Sequence, residues 1–315
     1  MRLAWVVLAV LVAACGPPPG PGPRRYQLPD ERVVPEPAGL GILDDRRIDL
    51  KYDGGQLELE LYRRGSRITQ VVRNRYAVPV TVRWTISVLD NVQPVGAAEG
   101  IALVPAAATP LGLGATIVLA ELEQLDPTAA YSRELSINGR FGDPSATPAP
   151  YAYRLPYPTG LTFAVLQGFH GGFSHRGSNE YAVDFDCPVA TPVLAAREGT
   201  VVASNAAAQG AGTTPEFLEY RRTNFVLVAH DDGTLGEYMH LAPSSIEVRA
   251  GQRVERGQRL ALSGNTGFSS TPHLHFQVMT AAEDGSASRS FPFTIAVAPD
   301  RIEEPVQARR YSAWE

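Results

Sequence analysis

Between about residues 39 and 153, apolar and polar positions alternate one by one. Leu57-Glu-Leu-Glu-Leu61 follows a Gly54-Gly55 turn, and Val80, Val82, Trp84, Ile86 and Val88 alternate with Thr81, Arg83, Thr85 and Ser87. A period of two places every second side chain on one face, the pattern of a half-buried antiparallel strand. Asn138-Gly139 supplies a tight turn later in the stretch. Short strands with regular turns over about a hundred residues predict a β-sandwich, immunoglobulin-like in type, over 39–155. No cluster of His, Asp, Glu or Cys in it has the form of a reactive site, so its expected role is to pack on the C-terminal half of the chain.

Near Pro156 the texture changes to Gly-rich turns and short apolar runs, and the expected fold class stays all-β. The run 271–279, Thr-Pro-His-Leu-His-Phe-Gln-Val-Met, reads as a strand. His273 and His275 then point to one face and Leu274 to the other. Two imidazoles aimed at one spot suit a metal site, or one ligand beside one acid/base, or an ordinary buried pair. Asp184 and Asp186 also share a face by alternation, with Cys187 on the opposite one. His230 closes the apolar run 225–229 and reads as a structural, hydrogen-bonding histidine, while His170 reads as rim. The Gly-, Ala- and Thr-rich stretch 206–223 is a long insertion between strands, expected either to wall a groove or to be plain surface.

Composition narrows the setting. With 315 residues, 44% of them hydrophobic, two domains are expected. The net charge of −5, with no basic stripe and Lys51 as the only lysine, excludes a nucleic-acid partner. Arg2, the apolar run 3–12 and Ala13-Ala14 form a secretory signal over 1–14, too short to span a bilayer comfortably. Leu11-Val-Ala-Ala-Cys15 resembles a bacterial lipobox, which implies lipidation of Cys15 and membrane attachment. Gly16 after it implies the outer rather than the inner membrane. The alternative is a plain secreted signal with an incidental cysteine. With Cys15 lipidated, Cys187 has no partner for an intrachain disulfide. The Pro/Gly-rich stretch within 15–38 reads as a stiff tether.

Five segments then occur in order: Ser-His-Arg-Gly-Ser-Asn-Glu-Tyr-Ala-Val-Asp-Phe (174–185), Thr-Pro-Val (191–193), Tyr-Met-His-Leu (238–241), a Val-Arg-Ala-Gly-Gln-Arg-Val-Glu-Arg-Gly-Gln-Arg-Leu turn (248–260), and Gly-Asn-Thr-Gly-Phe (264–268) leading to the His-Leu-His strand. Together they resemble the lysostaphin-type (LytM-like) zinc endopeptidases of peptidoglycan. The resemblance implies a peptidase domain over 156–298 and a tail over 299–315. It implies one zinc per chain held by His175, Asp184 and His275. It also implies that His240 and His273 act on the attacking water and the oxyanion, their division of labour left open. Three ligands leave a fourth zinc position for water. Asp184 rather than Asp186 occupies the family's Asp-Phe position. Ala190 and His170 depart from the family pattern at positions without chemistry. The 248–260 turn is also similar to biotinyl/lipoyl carriers, but this region holds no lysine to carry the group.

The expected protein is therefore a lipid-anchored envelope enzyme on the periplasmic side that cuts stem peptides or cross-bridges of peptidoglycan. The rival expectation is a non-catalytic relative of the same fold that activates a cell-wall amidase. For the N-terminal domain, binding of glycan or of another protein stands beside the packing role.

Overall fold

A computed structural model describes residues 56–107 and 114–314, and the backbone alone of the strands Val10–Ala13, Tyr26–Gln27, Val33–Val34 and Gly41–Ile48. The lipidation expected at Cys15 and most of the expected leader and tether lie outside the described residues.

The N-terminal half is two antiparallel sheets. One runs Ser132–Phe141, Val80–Asp90, Glu99–Val104, and the other Leu57–Arg64, Arg67–Asn74, Ala115–Gln124, Val92–Val95. Their inward residues form one core, with Leu57, Leu59, Leu61, Val80, Val82, Trp84, Leu135 and Ile137 all in it. Alternation is cleanest on Ser132–Phe141, where every second residue from Arg133 onward is buried; the strand runs through Asn138-Gly139, which pair with Arg83 and Val82 instead of forming the expected turn. Leu57–Arg64 departs from the expected pattern. Glu58 and Glu60 are 4% exposed although alternation aims them away from the leucines. Arg73 and Arg75 take up the charge, at 3.1 Å to Glu60 and 2.8 Å to Glu58. A buried carboxylate is tolerable only when paired in this way.

The C-terminal half is built on a nine-stranded sheet. Its path is Arg253–Val254, Gly199–Asn205, Phe225–Ala229, Leu235–Met239, Leu274–Ala281, Val183–Phe185, Thr162–Gln167 and Arg310–Ser312, with Ser288–Phe291 beside Leu274–Ala281. Val183, Phe185, Val226, Val228, Tyr238, Leu274, Phe276 and Val278 pack one face of it into a second core. The opposite face carries His275, Gln277 and Met279. Leu274–Ala281 is nevertheless buried at all eight positions. The reason is tertiary: Phe225, Leu227, Leu235 and Met279 on that face join the core of the N-terminal sheets. Thr280 Oγ1 donates to the Asp143 carbonyl at 2.9 Å, and Arg289 donates to the Pro144 carbonyl at 3.0 Å. Gly142, at φ +106°, has no room for a side chain, since a Cβ would lie 2.2 Å from Thr280 Oγ1.

Within the stretch expected as a tail, 299–315, two described segments pair with strands of the sheets. Arg301–Glu303 pairs with Thr294–Ala298, and Arg310–Ser312 pairs with Thr162–Gln167. Tyr311 and Ala313 are each 3% exposed. Two apolar anchors spaced by a strand's period sufficed, and that signal is too short to stand out in sequence.

Candidate metal centre

Val183–Phe185 is a strand of three residues, and its alternation sends Val183 and Phe185 into the core and Asp184 to the other face. Leu274 and Phe276 do the same for His275. The antiparallel register sets Asp184 directly opposite His275. His175 arrives from a loop and is fully buried. Its Nδ1 donates to the Gly168 carbonyl at 2.8 Å, which leaves Nε2 to face the carboxylate. His175 Nε2 then lies 3.2 Å, and His275 Nδ1 3.0 Å, from the same oxygen, Asp184 Oδ1.

These side chains fit a metal. One ligand atom from each of the three residues lies within 4.8 Å of the others, and all three residues are buried. A tetrahedral zinc with bonds of about 2.0–2.1 Å spaces its ligand atoms roughly 3.3 Å apart. Buried His175 Nε2 has no hydrogen-bond partner, a costly state that an ion would relieve. Burial opposes ionisation of Asp184, but the imidazoles of His175 and His275 set against it outweigh burial and hold the carboxyl well below its usual range. The oxygen is therefore anionic at neutral pH, as a ligand must be.

Two more imidazoles border the group. His240 and His273 stand 4.5 Å apart between ring centroids, and His273 Nε2 lies 3.6 Å from Asp184 Oδ1. His240 Nδ1 donates to the Thr266 carbonyl at 2.7 Å and His273 Nδ1 to the Thr271 carbonyl at 2.8 Å. Each ring thus carries a proton on Nδ1 and is held there, with Nε2 clear of both carbonyls. Burial, and then the neighbouring His273 and His275, holds His240 well below the ordinary histidine range. It is neutral near pH 7 and able to accept a proton. Its backbone sits at φ +62°, a conformation uncommon outside glycine, which turns the ring from the strand end toward the group.

Residues 178–287 match the model of peptidase family M23. The match takes in Asp184, His240, His273 and His275 and begins just after His175. Among curated relatives, glycyl-glycine endopeptidase ALE-1 of Staphylococcus capitis is 35% identical over 140 residues, 44% of this chain and 31% of that protein. The peptidoglycan DD-endopeptidase ShyA of Vibrio cholerae is 28% identical over 157 residues, 49% of this chain and 33% of that protein. Lysostaphin of Staphylococcus simulans is 32% identical over 135 residues, 42% of this chain and 22% of its own length. The chain thus spans about a third or less of these relatives. The solved catalytic domain of lysostaphin aligns at 28% identity, covering 42% of this chain and 88% of that one, with a TM-score of 0.28.

The remaining sequence candidates separate from the metal group. Asp186 is exposed and outside it. His170 is exposed and pairs with Glu180 at 3.2 Å. His230 lies at the other end of its strand from the group, donating from Nδ1 to the Glu198 carbonyl at 2.9 Å, with burial pulling its pKa down to about 4. Cys187 is a free, buried thiol pushed upward by burial. The 206–223 insertion is attached to the site loop, for Ala211–Gly212 pairs in parallel with Gly267–Phe268, beside Thr266. Two polar residues carry no signal in the sequence reading, Gln167 and Asn224, and Thr266 enters it only as part of the 264–268 motif. None has a distinctive residue type or spacing, and each matters only through partners far along the chain.

Proposed function

We propose that this chain is a zinc-dependent endopeptidase acting on peptide bonds in the stem peptides or cross-bridges of peptidoglycan. One observation carries the reading: His175 Nε2 and His275 Nδ1 meet one buried oxygen of Asp184 beside two imidazoles anchored through Nδ1. Zinc held by these three residues supplies Lewis acidity toward a peptide carbonyl and toward water. His240, neutral and anchored at Nδ1, is placed to take the proton of the attacking water. His273, closer to Asp184, is placed to hydrogen-bond the oxygen on which negative charge develops, donating from Nε2 when the ring carries a proton on both nitrogens. The substrate class rests on the names of the relatives, which include enzymes acting on peptidoglycan and on glycyl-glycine bonds.

The same proposal places the chain on the periplasmic side of a bacterial envelope, lipidated at Cys15, with the outer membrane favoured by Gly16. It divides the chain into an N-terminal immunoglobulin-like layer and a C-terminal peptidase.

Incubation of the purified chain with whole sacculi, followed by mass analysis of released fragments, tests the reading. New amine termini within peptides are expected. Intact stem peptides freed from glycan would indicate an amidase instead. Release only when a separate amidase is added would indicate the regulatory alternative.

A further inference from the structure

Gln167 is 7% exposed and ends the strand Thr162–Gln167 next to Asp184. Its side chain meets four groups. Oε1 accepts from the backbone N–H of Phe173 at 2.8 Å and of Ser174 at 3.1 Å. Nε2 donates to Ser174 Oγ at 2.8 Å and to Asp184 Oδ2 at 3.1 Å. The amide orientation follows from chemistry, since two backbone donors require the oxygen and a carboxylate requires the nitrogen. Gly171 makes room for this arrangement, because a Cβ there would lie 2.1 Å from Gln167 Cγ.

We propose that Gln167 is a positioning residue that restricts Asp184 to ligation through one oxygen and couples that ligand to the loop carrying His175. The inference rests on the metal reading above. A carboxylate has two equivalent oxygens and can ligate through either or both. Here Oδ1 faces both histidine nitrogens while Oδ2 is occupied by an amide N–H. Turning Oδ2 toward the ion would break that bond. Oε1 at the same time fixes the backbone at Phe173 and Ser174, immediately before His175. One side chain thus orients two ligands from separate parts of the chain, and partners of this kind are worth about 10–100-fold in metal affinity.

The test uses the purified full chain and the Gln167→Leu, Gln167→Glu and Ser174→Ala variants. Zinc affinity is measured by competition with a chromophoric chelator, and visible spectra are recorded with cobalt(II) in place of zinc. Gln167→Leu keeps the bulk and loses every hydrogen bond. Gln167→Glu can still accept from the loop but sets a second carboxylate against Asp184. Both are expected to bind zinc about 10–100-fold more weakly than the parent. Their cobalt bands should also weaken as Asp184 contributes its second oxygen and four-coordination is lost. Ser174→Ala, which removes only the Ser174 Oγ contact, should match the parent. Parent-like affinity and spectra in both Gln167 variants would overturn the inference, as would an equal loss in Ser174→Ala. A parent that takes up no zinc would instead overturn the metal reading, and this inference with it.

Discussion

At the scale of single residues, geometry distinguishes two histidines that alternation makes equivalent. His275 Nδ1 lies 3.0 Å from Asp184 Oδ1, while His273 Nε2 stands at 3.6 Å and pairs with His240. His275→Ala is therefore expected to lose both zinc and turnover. His273→Ala should keep zinc and slow hydrolysis by about 10²–10⁴, the usual span for a lost acid/base group. Metal analysis of the two purified variants, read beside their rates on sacculi, checks the assignment; loss of metal from His273→Ala alone would reverse it. The acidic pair divides in the same way. Asp184→Asn should weaken metal binding, whereas Asp186→Asn, altering an exposed group, should be mild. The Asp184 assignment came from resemblance, because two carboxylates on one strand face look alike until burial separates them.

At the scale of elements, short strands do most of the positioning, and loops supply what strands cannot. Val183–Phe185 and Leu274–Ala281 present Asp184 and His275 by alternation alone. His240 requires a left-handed turn at the end of Leu235–Met239, and His175 requires the loop that Gln167 secures. The strand Phe225–Ala229 leads directly into a pH-sensitive element. His230 is buried neutral, with its pKa lowered from 6.5 to about 4 by burial. Its folded value lies below its unfolded one, so the unfolded chain binds more protons between them, and stability falls as pH drops. The loss should begin near 6.5, end near about 4, and amount to about 3 kcal/mol for this group. Chemical denaturation of the parent and of His230→Gln across that window measures it. The variant should show a shallower decline, and equal slopes would refute the assignment.

At the scale of the whole molecule, the two halves are not independent beads. Phe225, Leu227, Leu235 and Met279 from the sheet that bears the metal centre lie in the same core as Trp84, Leu122 and Leu135. The halves are expected to unfold together, and calorimetry should record one transition rather than two. A fragment limited to 156–315 would expose those four side chains and should be less soluble and less stable than the full chain; two separate transitions, or an equally stable fragment, would contradict a shared core. Gly142→Val tests the seam directly. It forces a side chain into Thr280 and should lower the melting temperature without touching the metal centre.

The sequence by itself determined the all-β class and the core-facing side of 57–61 and 80–86, whereas Val88, expected on that side, is 58% exposed at φ +50°. It also carried the ordered motifs that bring His175, Asp184, His240, His273 and His275 together. Those features are local, set by a period of two or by short runs of residue types, and local patterns survive in one dimension. Only the tertiary structure decided that Glu58 and Glu60 are buried, that 301–303 and 310–312 join the sheets, and that Gln167 bonds both Asp184 and the loop before His175. The same holds for the far half of the metal-bearing face, which is covered by the N-terminal layer. Each of these depends on partners distant along the chain, and no residue records in its own neighbourhood which remote surface will exclude its water.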